Sequence, residues 1–246
     1  MIYAQYRLGA ELISSMPQDL RRTIGRFRQL YDMGLHGPDI LLSYGQKYSR
    51  QSGKLFFYHA CRMVRMEHSD GALAYLYGLV AHYAISSRIQ PLIRQKAREL
   101  SLTEGQIRTE FDRFLLELDG KKPPHQYDRS LHLRLTPGEQ ETAAMFYPGI
   151  HPRVVGLCVK QLRTTMRLSA KTEGSRRQLA GHLLRLTGDS QRMMGLHPDR
   201  RLAATNSELL EIYEQAKELY PVLLEQVQVR LRKKVALGAE FELPFA

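Results

Sequence analysis

Tryptophan is absent from the 246 residues, and cysteine is reduced to Cys61 and Cys158. Neither cysteine sits in a CxxC or Cys/His pattern, and their surroundings, HACRMV and GLCVKQL, are apolar, so two reduced core thiols are expected rather than a disulfide. No stretch approaches the ~20 apolar residues that a membrane span needs. The opening MIYAQYRLGAEL lacks the basic start and continuous apolar run of a secretory signal, so a soluble, cytoplasmic protein is the expectation. Alternating β-branched runs joined by hairpin turns are also missing, as are internal repeats and low-complexity tracts. Acidic residues are the scarcer charge, 25 against 36 basic ones, for a net charge of +11. Such a surface attracts polyanions: nucleic acid, anionic lipid headgroups or phosphorylated small molecules.

What is present is helical periodicity, which predicts an all-α fold organised as one domain over 1–246. Segment 18–33 places Leu20, Ile24, Phe27, Leu30 and Tyr31 on one stripe, and Gly34 supplies a stop. Segment 54–66 turns Phe57, Cys61 and Val64 inward. Ser69 or Asp70 caps GALAYLYGLVAHYAISS, which is apolar nearly all round and so reads as a central helix that Pro91 kinks or interrupts. Thr103 with Gln106, and Thr205 with Glu208, have capping-box spacing. Between them lies GKKPPHQYDRS, a candidate mobile segment or site rim, and short helices are expected over 137–146, 151–168 and 174–187. The last long helix is expected to bend at Pro221.

Several segments taken in order, YRLGAELISSMP, DMGLHGPDILL, ALAYLYGLVAHYAISS, TEFDRFLLELDG, AMFYPGIHP, LLRLTGDSQRMMGL and TNSELLEIYEQA, resemble the zinc-dependent phospholipase C family across nearly the whole chain. The resemblance implies a multi-helical domain of the phospholipase C/P1 nuclease type around a cluster of divalent metals. The implied reaction is phosphodiester hydrolysis by metal-bound water. Asp39, His59 and His82 stand where the family holds one metal with an aspartate and two histidines. Other family ligands are replaced: Ser86 and Gln90 stand where an aspartate and a histidine follow at one-turn steps, and Gln5 where the family has a histidine in THYRFG. Glu104 and Arg108 occupy the places of a histidine and a glutamate. With no tryptophan, the amino-terminal tryptophan ligand of the secreted branch has no counterpart here.

Two imidazoles and a carboxylate with an open fourth position match a hydrolytic zinc ion, so Asp39, His59 and His82 imply at most one zinc, with Asp39 in the catalytic role. His36 is a candidate outer partner or phosphate donor, and His36, Ser86, Gln90 and Arg108 together make the expected substrate-binding set. These residues also have plainer readings. His82 can be a satisfied core histidine, and Asp39 the cap of DILLSY. Glu110 and Asp112 share a helix with Arg108 and Arg113 and read as a solvated, ion-paired face. His125, His132, His151 and His197 read as surface histidines.

Residues 153–201 hold eleven basic residues against three acidic ones, an excess that suits an anionic membrane surface. Nucleic acid is the rival partner, but no helix-turn-helix, zinc-finger or ribonucleoprotein pattern supports it. The basic RLRKKV near the end can instead complement the negative end of a helix. Two functions stay open at this point. One is a phospholipase C-like phosphodiester hydrolase, or its degenerate descendant, acting at phospholipid headgroups. The other is a non-catalytic helical protein that holds an anionic partner on a basic face.

Overall fold

The apolar run around Leu76 forms the first half of a 30-residue helix at the centre of the fold. A computed structural model describes residues 1–124, 126–171 and 198–245. The elements are α1 (Tyr3–Ser15), α2 (Gln18–Arg26), α3 (Arg28–Gly34), a 3-10 helix (Gly37–Gly45), α4 (Gln46–Ser49), α5 (Gly53–Glu67), α6 (Asp70–Glu99), α7 (Glu104–Leu118), α8 (Pro137–Ala144), α9 (Pro152–Lys171) and α10 (Ala203–Lys233). Among the described residues the fold is all-helical, with one isolated bridge between Ser52 and Pro244. The helices share one contiguous hydrophobic core. No helix of the described residues is long and apolar enough to cross a membrane. Both cysteines are free and buried.

Helix α6 is the hub because it is apolar on all sides. Ser69 caps it, its Oγ accepting the Ala72 N–H at 3.4 Å, and α3 and α10 pack along its length. The α3 crossing is close enough to require glycine on both helices: a Cβ on Gly34 would lie 2.3 Å from the Tyr75 carbonyl oxygen, and one on Gly78 would lie 2.3 Å from that of Tyr31. Pro91 lies inside α6, which continues to Glu99. Packing along the helix outweighs the lost backbone hydrogen bond there.

Other elements depart from their sequence patterns for local reasons. The stripe over 18–33 is two helices, broken at Phe27, whose φ of −121° and ψ of 39° are not helical. The capping box of Thr103 and Gln106 forms, and so does a second one, Thr136 with Glu139 ahead of Pro137. Thr205 and Glu208 form none. Asp199 instead accepts the Arg201 N–H at 3.0 Å and starts a short 3-10 turn, so α10 begins at Ala203 and Thr205 is buried within it. The helix expected over 174–187 lies outside the described residues.

The last residues strap the far side of α6. Phe241 and Phe245 pack among Phe56, Phe57 and Tyr83, and the Phe245 ring stacks on His82 with centroids 5.4 Å apart. The Tyr83 hydroxyl donates to the Glu240 carbonyl at 2.8 Å, and Gly53 N–H to that of Leu243 at 2.8 Å.

Candidate functional site

Two stripes of polar side chains at four-residue spacing face one another near the amino terminus: His82, Ser86 and Gln90 on α6, and Glu104, Arg108 and Asp112 on α7. Four-residue steps keep each stripe on one helical face. They join through Gln90, whose Oε1 accepts from Arg108 Nη2 and whose Nε2 donates to Glu104 Oε2 at 2.6 Å. Arg108 also meets Glu104 at 3.3 Å, and Arg94 reaches the same carboxylate at 3.8 Å.

Gln5, on α1, sits at the centre of the remaining polar groups. Its Oε1 lies 3.0 Å from His36 Nδ1, and its Nε2 lies 3.2 Å from His82 Nδ1 and 3.4 Å from both Asp39 Oδ2 and Ser86 Oγ. His36 Nε2 meets His132 Nε2 at 2.6 Å, and the His132 ring stacks on Tyr6. Asp39 dictates the polarity of this chain. An ionised carboxylate only accepts, so the Gln5 amide must present its N–H to Asp39 and its oxygen to His36. His36 then carries its proton on Nδ1, and His132 donates from Nε2. His132, read from sequence as a surface histidine, is thus a partly buried member of the network.

Burial sets the charges of these groups. The His82 pKa is lowered to about 4, chiefly by burial, and that of His132 to about 3 by burial and the nearby Arg28 guanidinium. His36, fully buried beside His132, lies well below its ordinary value. Burial pushes Asp39 upward, yet His82 and Arg108 together with the Gln5 hydrogen bond outweigh it and hold Asp39 below the usual carboxylate range. At neutral pH the cluster is therefore three neutral imidazoles and one carboxylate.

Asp39, Gln90, Arg94, Glu104, Arg108, Asp112 and Arg129 line a cavity of about 700 Å³, with Ser43, Tyr44 and Arg50 near them on the wall. Leu42, also on the wall, holds φ 52° and ψ −129°, a conformation that strains any residue with a Cβ and is concentrated at functional sites. Asp112 is already committed: its carboxylate accepts the N–H groups of Ile2, Tyr3 and Ala4 at 3.0–3.2 Å and pairs with buried Arg129 at 3.0 Å. Glu110 is likewise buried, in a fork with Arg113 at 2.7 and 2.9 Å. The expected solvated face is therefore two buried ion pairs, Asp112 with Arg129 beside the start of α1 and Glu110 with Arg113.

Of the expected substrate-binding residues, Gln90 and Arg108 face the cavity, whereas His36 and Ser86 are buried and do not line it. Asp39 does not cap the helix after it. The expected zinc trio does not converge. His59 belongs to a separate cleft with Lys47, Tyr48, Gln51, Leu55 and Pro148, and its Nε2–H donates to the Met145 carbonyl at 3.0 Å. It stands at the edge of the buried face of α5, which Phe56, Phe57, Ala60, Cys61 and Val64 make up. The free ring nitrogen of His82, Nε2, is buried without a partner, but it packs against Gly37, where a Cβ would lie 2.8 Å away, beneath the stacked Phe245 ring. Gly37 needs to be glycine for that contact and for its φ of +49°. No three His, Cys, Asp or Glu residues among the described residues are grouped to hold a metal ion, Asp39, His59 and His82 included.

Arg94 and Arg129 escaped the sequence reading. Arg94 was open to it, since it continues the four-residue stripe of His82, Ser86 and Gln90, whereas nothing local ties Arg129 to Asp112. No protein-family model, curated protein or solved structure matches the chain.

Proposed function

We propose that this chain binds a phosphate-bearing ligand in the cavity of Arg94 and Arg108 and does not hydrolyse it, as a degenerate descendant of a phospholipase C-type scaffold. The observation that carries the reading is the Gln5 carboxamide, whose Nε2 takes the centre of the Asp39, His82 and Ser86 cluster, within 3.2–3.4 Å of all three, while His82 Nδ1 also meets the Leu35 carbonyl at 3.1 Å. Arg108 supports binding over turnover: beside Asp39 it adds a fixed positive charge and a planar donor fork suited to a phosphate group. Among the described residues its Nη1 has no hydrogen-bond partner and the exposed Arg50 side chain has no ionic partner, so donors remain for a ligand. The cavity volume falls in the range of small-molecule sites.

Calorimetric titration of inorganic phosphate into wild type and Arg108→Met tests the reading. Saturable binding at least tenfold weaker in the variant is expected; no binding by wild type, or equal binding by both, overturns it.

A second partner, an anionic membrane surface, has one observation in its favour. On α9 the exposed Leu157 lies between exposed Arg153 and Lys160 on one helical face, a pattern suited to a lipid surface. Arg176, Arg177, Arg185 and Arg192 of the same basic region lie outside the described residues, and Arg201 is paired with Asp199 at 2.6 Å.

A further inference from the structure

The carboxylates of the cavity wall differ in what they have left to offer. Asp112 is filled by three backbone N–H groups and Arg129. Glu104 is shared among Gln90, Arg94 and Arg108. Among the described residues, Asp39 accepts one long side-chain hydrogen bond, from Gln5 at 3.4 Å, and has no ion pair. An ionised carboxylate has about four acceptor positions, so most of the capacity of Asp39 is open where it faces the cavity. From the α6–α7 side, Arg108 and neutral His82 face it, and His36 and His132 stand behind Gln5. The cavity thus has a donor pole at Arg94 and Arg108 and an acceptor pole at Asp39.

Resting on the phosphate reading of this cavity, we infer that its ligand is a hydroxylated phosphate ester, a polyol or sugar phosphate, whose phosphate meets Arg94 and Arg108 and whose hydroxyl donates to Asp39. A hydroxyl fits the acceptor pole better than an ammonium. The wall carries four arginines, Arg50, Arg94, Arg108 and Arg129, against three carboxylates, and Asp39 already lies in the field of Arg108, so a further cation would be repelled. Gln5 N–H meets only Oδ2 of the Asp39 carboxylate, and among the described residues no hydrogen bond reaches Oδ1, so Asp39 keeps acceptor capacity at the cavity wall.

The test compares glycerol 3-phosphate with n-propyl phosphate, which has the same skeleton without hydroxyls, by calorimetry on the intact chain, with phosphoethanolamine as the ammonium arm. Glycerol 3-phosphate is expected to bind at least roughly tenfold more tightly than n-propyl phosphate, the scale of one hydrogen bond to a charged group. In Asp39→Asn, whose amide oxygen faces Gln5 and whose N–H₂ turns to the cavity, that ratio is expected to fall to about one. Equal affinity for the two esters in wild type overturns the inference and leaves phosphate binding standing, as does a preference for phosphoethanolamine over glycerol 3-phosphate. Failure of every phosphate compound, inorganic phosphate included, overturns the phosphate reading itself. The wild-type comparison alone decides the matter if Asp39→Asn does not fold.

Discussion

Replacing Gln5 by leucine keeps the volume of the side chain and removes every hydrogen bond it makes. His36 Nδ1–H, 3.0 Å from Gln5 Oε1 and fully buried, loses its acceptor. The contact to His82 at 3.2 Å goes as well, and Asp39 loses its side-chain donor. A buried polar group left unsatisfied costs about 1–3 kcal/mol, and the apolar gain of leucine offsets part of the sum, so a net loss of about 2–4 kcal/mol is expected. For a chain of this length that lowers the melting temperature by roughly 5–15 °C. Gln5→Glu is the isosteric companion. It sets a second carboxylate about where the amide nitrogen meets Asp39 at 3.4 Å, and the folded protein should then hold an extra proton at neutral pH, on the new carboxyl group or on a neighbouring imidazole. Extra protons on the folded state make stability fall as pH rises, so the variant should lose stability between pH 6 and 8 relative to wild type. Urea unfolding followed by circular dichroism reads both effects. A Gln5→Leu protein within 0.5 kcal/mol of wild type, or a Gln5→Glu protein with an unchanged pH slope, would refute the central placement of Gln5.

Three further outcomes follow from the geometry. The unfolded chain protonates His36 and His82 near the ordinary value of 6.5 while the folded chain keeps them neutral, so stability is complete above about pH 7 and falls as pH drops. His132, also neutral in the folded chain, adds to them, and each of the three histidines contributes about 1.4 kcal/mol to a loss of about 4 kcal/mol between pH 7.5 and 5.5; a flat stability profile over that window contradicts their burial as neutral rings. Asp112→Ala strands the buried Arg129 charge and three N–H groups at the start of α1, and should cost about 3–5 kcal/mol in the same unfolding assay; a loss under 1 kcal/mol would mean that Asp112 is not the anchor of α1. Cosedimentation with anionic vesicles should exceed that with zwitterionic ones and weaken in high salt, and equal binding to both rejects the membrane partner.

The parts of the fold that sequence could reveal were those set by local chemistry. An all-round apolar run made α6 central, Ser69 and Thr103 marked their helix starts, and the apolar settings of Cys61 and Cys158 matched two free thiols. Where distant packing decides, the pattern misled. Phe27 breaks a continuous stripe, and Thr205 has a capping spacing but is buried inside α10, because Asp199 begins the turn earlier. The site divides in the same way. The stripe from His82 to Gln90 was visible as a four-residue repeat, whereas the pairing of His36 with His132, 96 positions apart, has no local signature. The ligand-like placing of His59 came from likeness of residue type, and its ring serves the Met145 carbonyl instead.

The claim that this scaffold binds without hydrolysing is tested most directly by phosphodiester turnover with one to three equivalents of added zinc, using bis(p-nitrophenyl) phosphate and phosphatidylcholine as substrates. Because Asp39, His59 and His82 do not meet and Gln5 fills the centre between Asp39 and His82, turnover by wild type should not exceed that of zinc alone. Zinc-dependent turnover well above that background, abolished in His82→Ala, would contradict the account and show that the polar cluster assembles a working metal site.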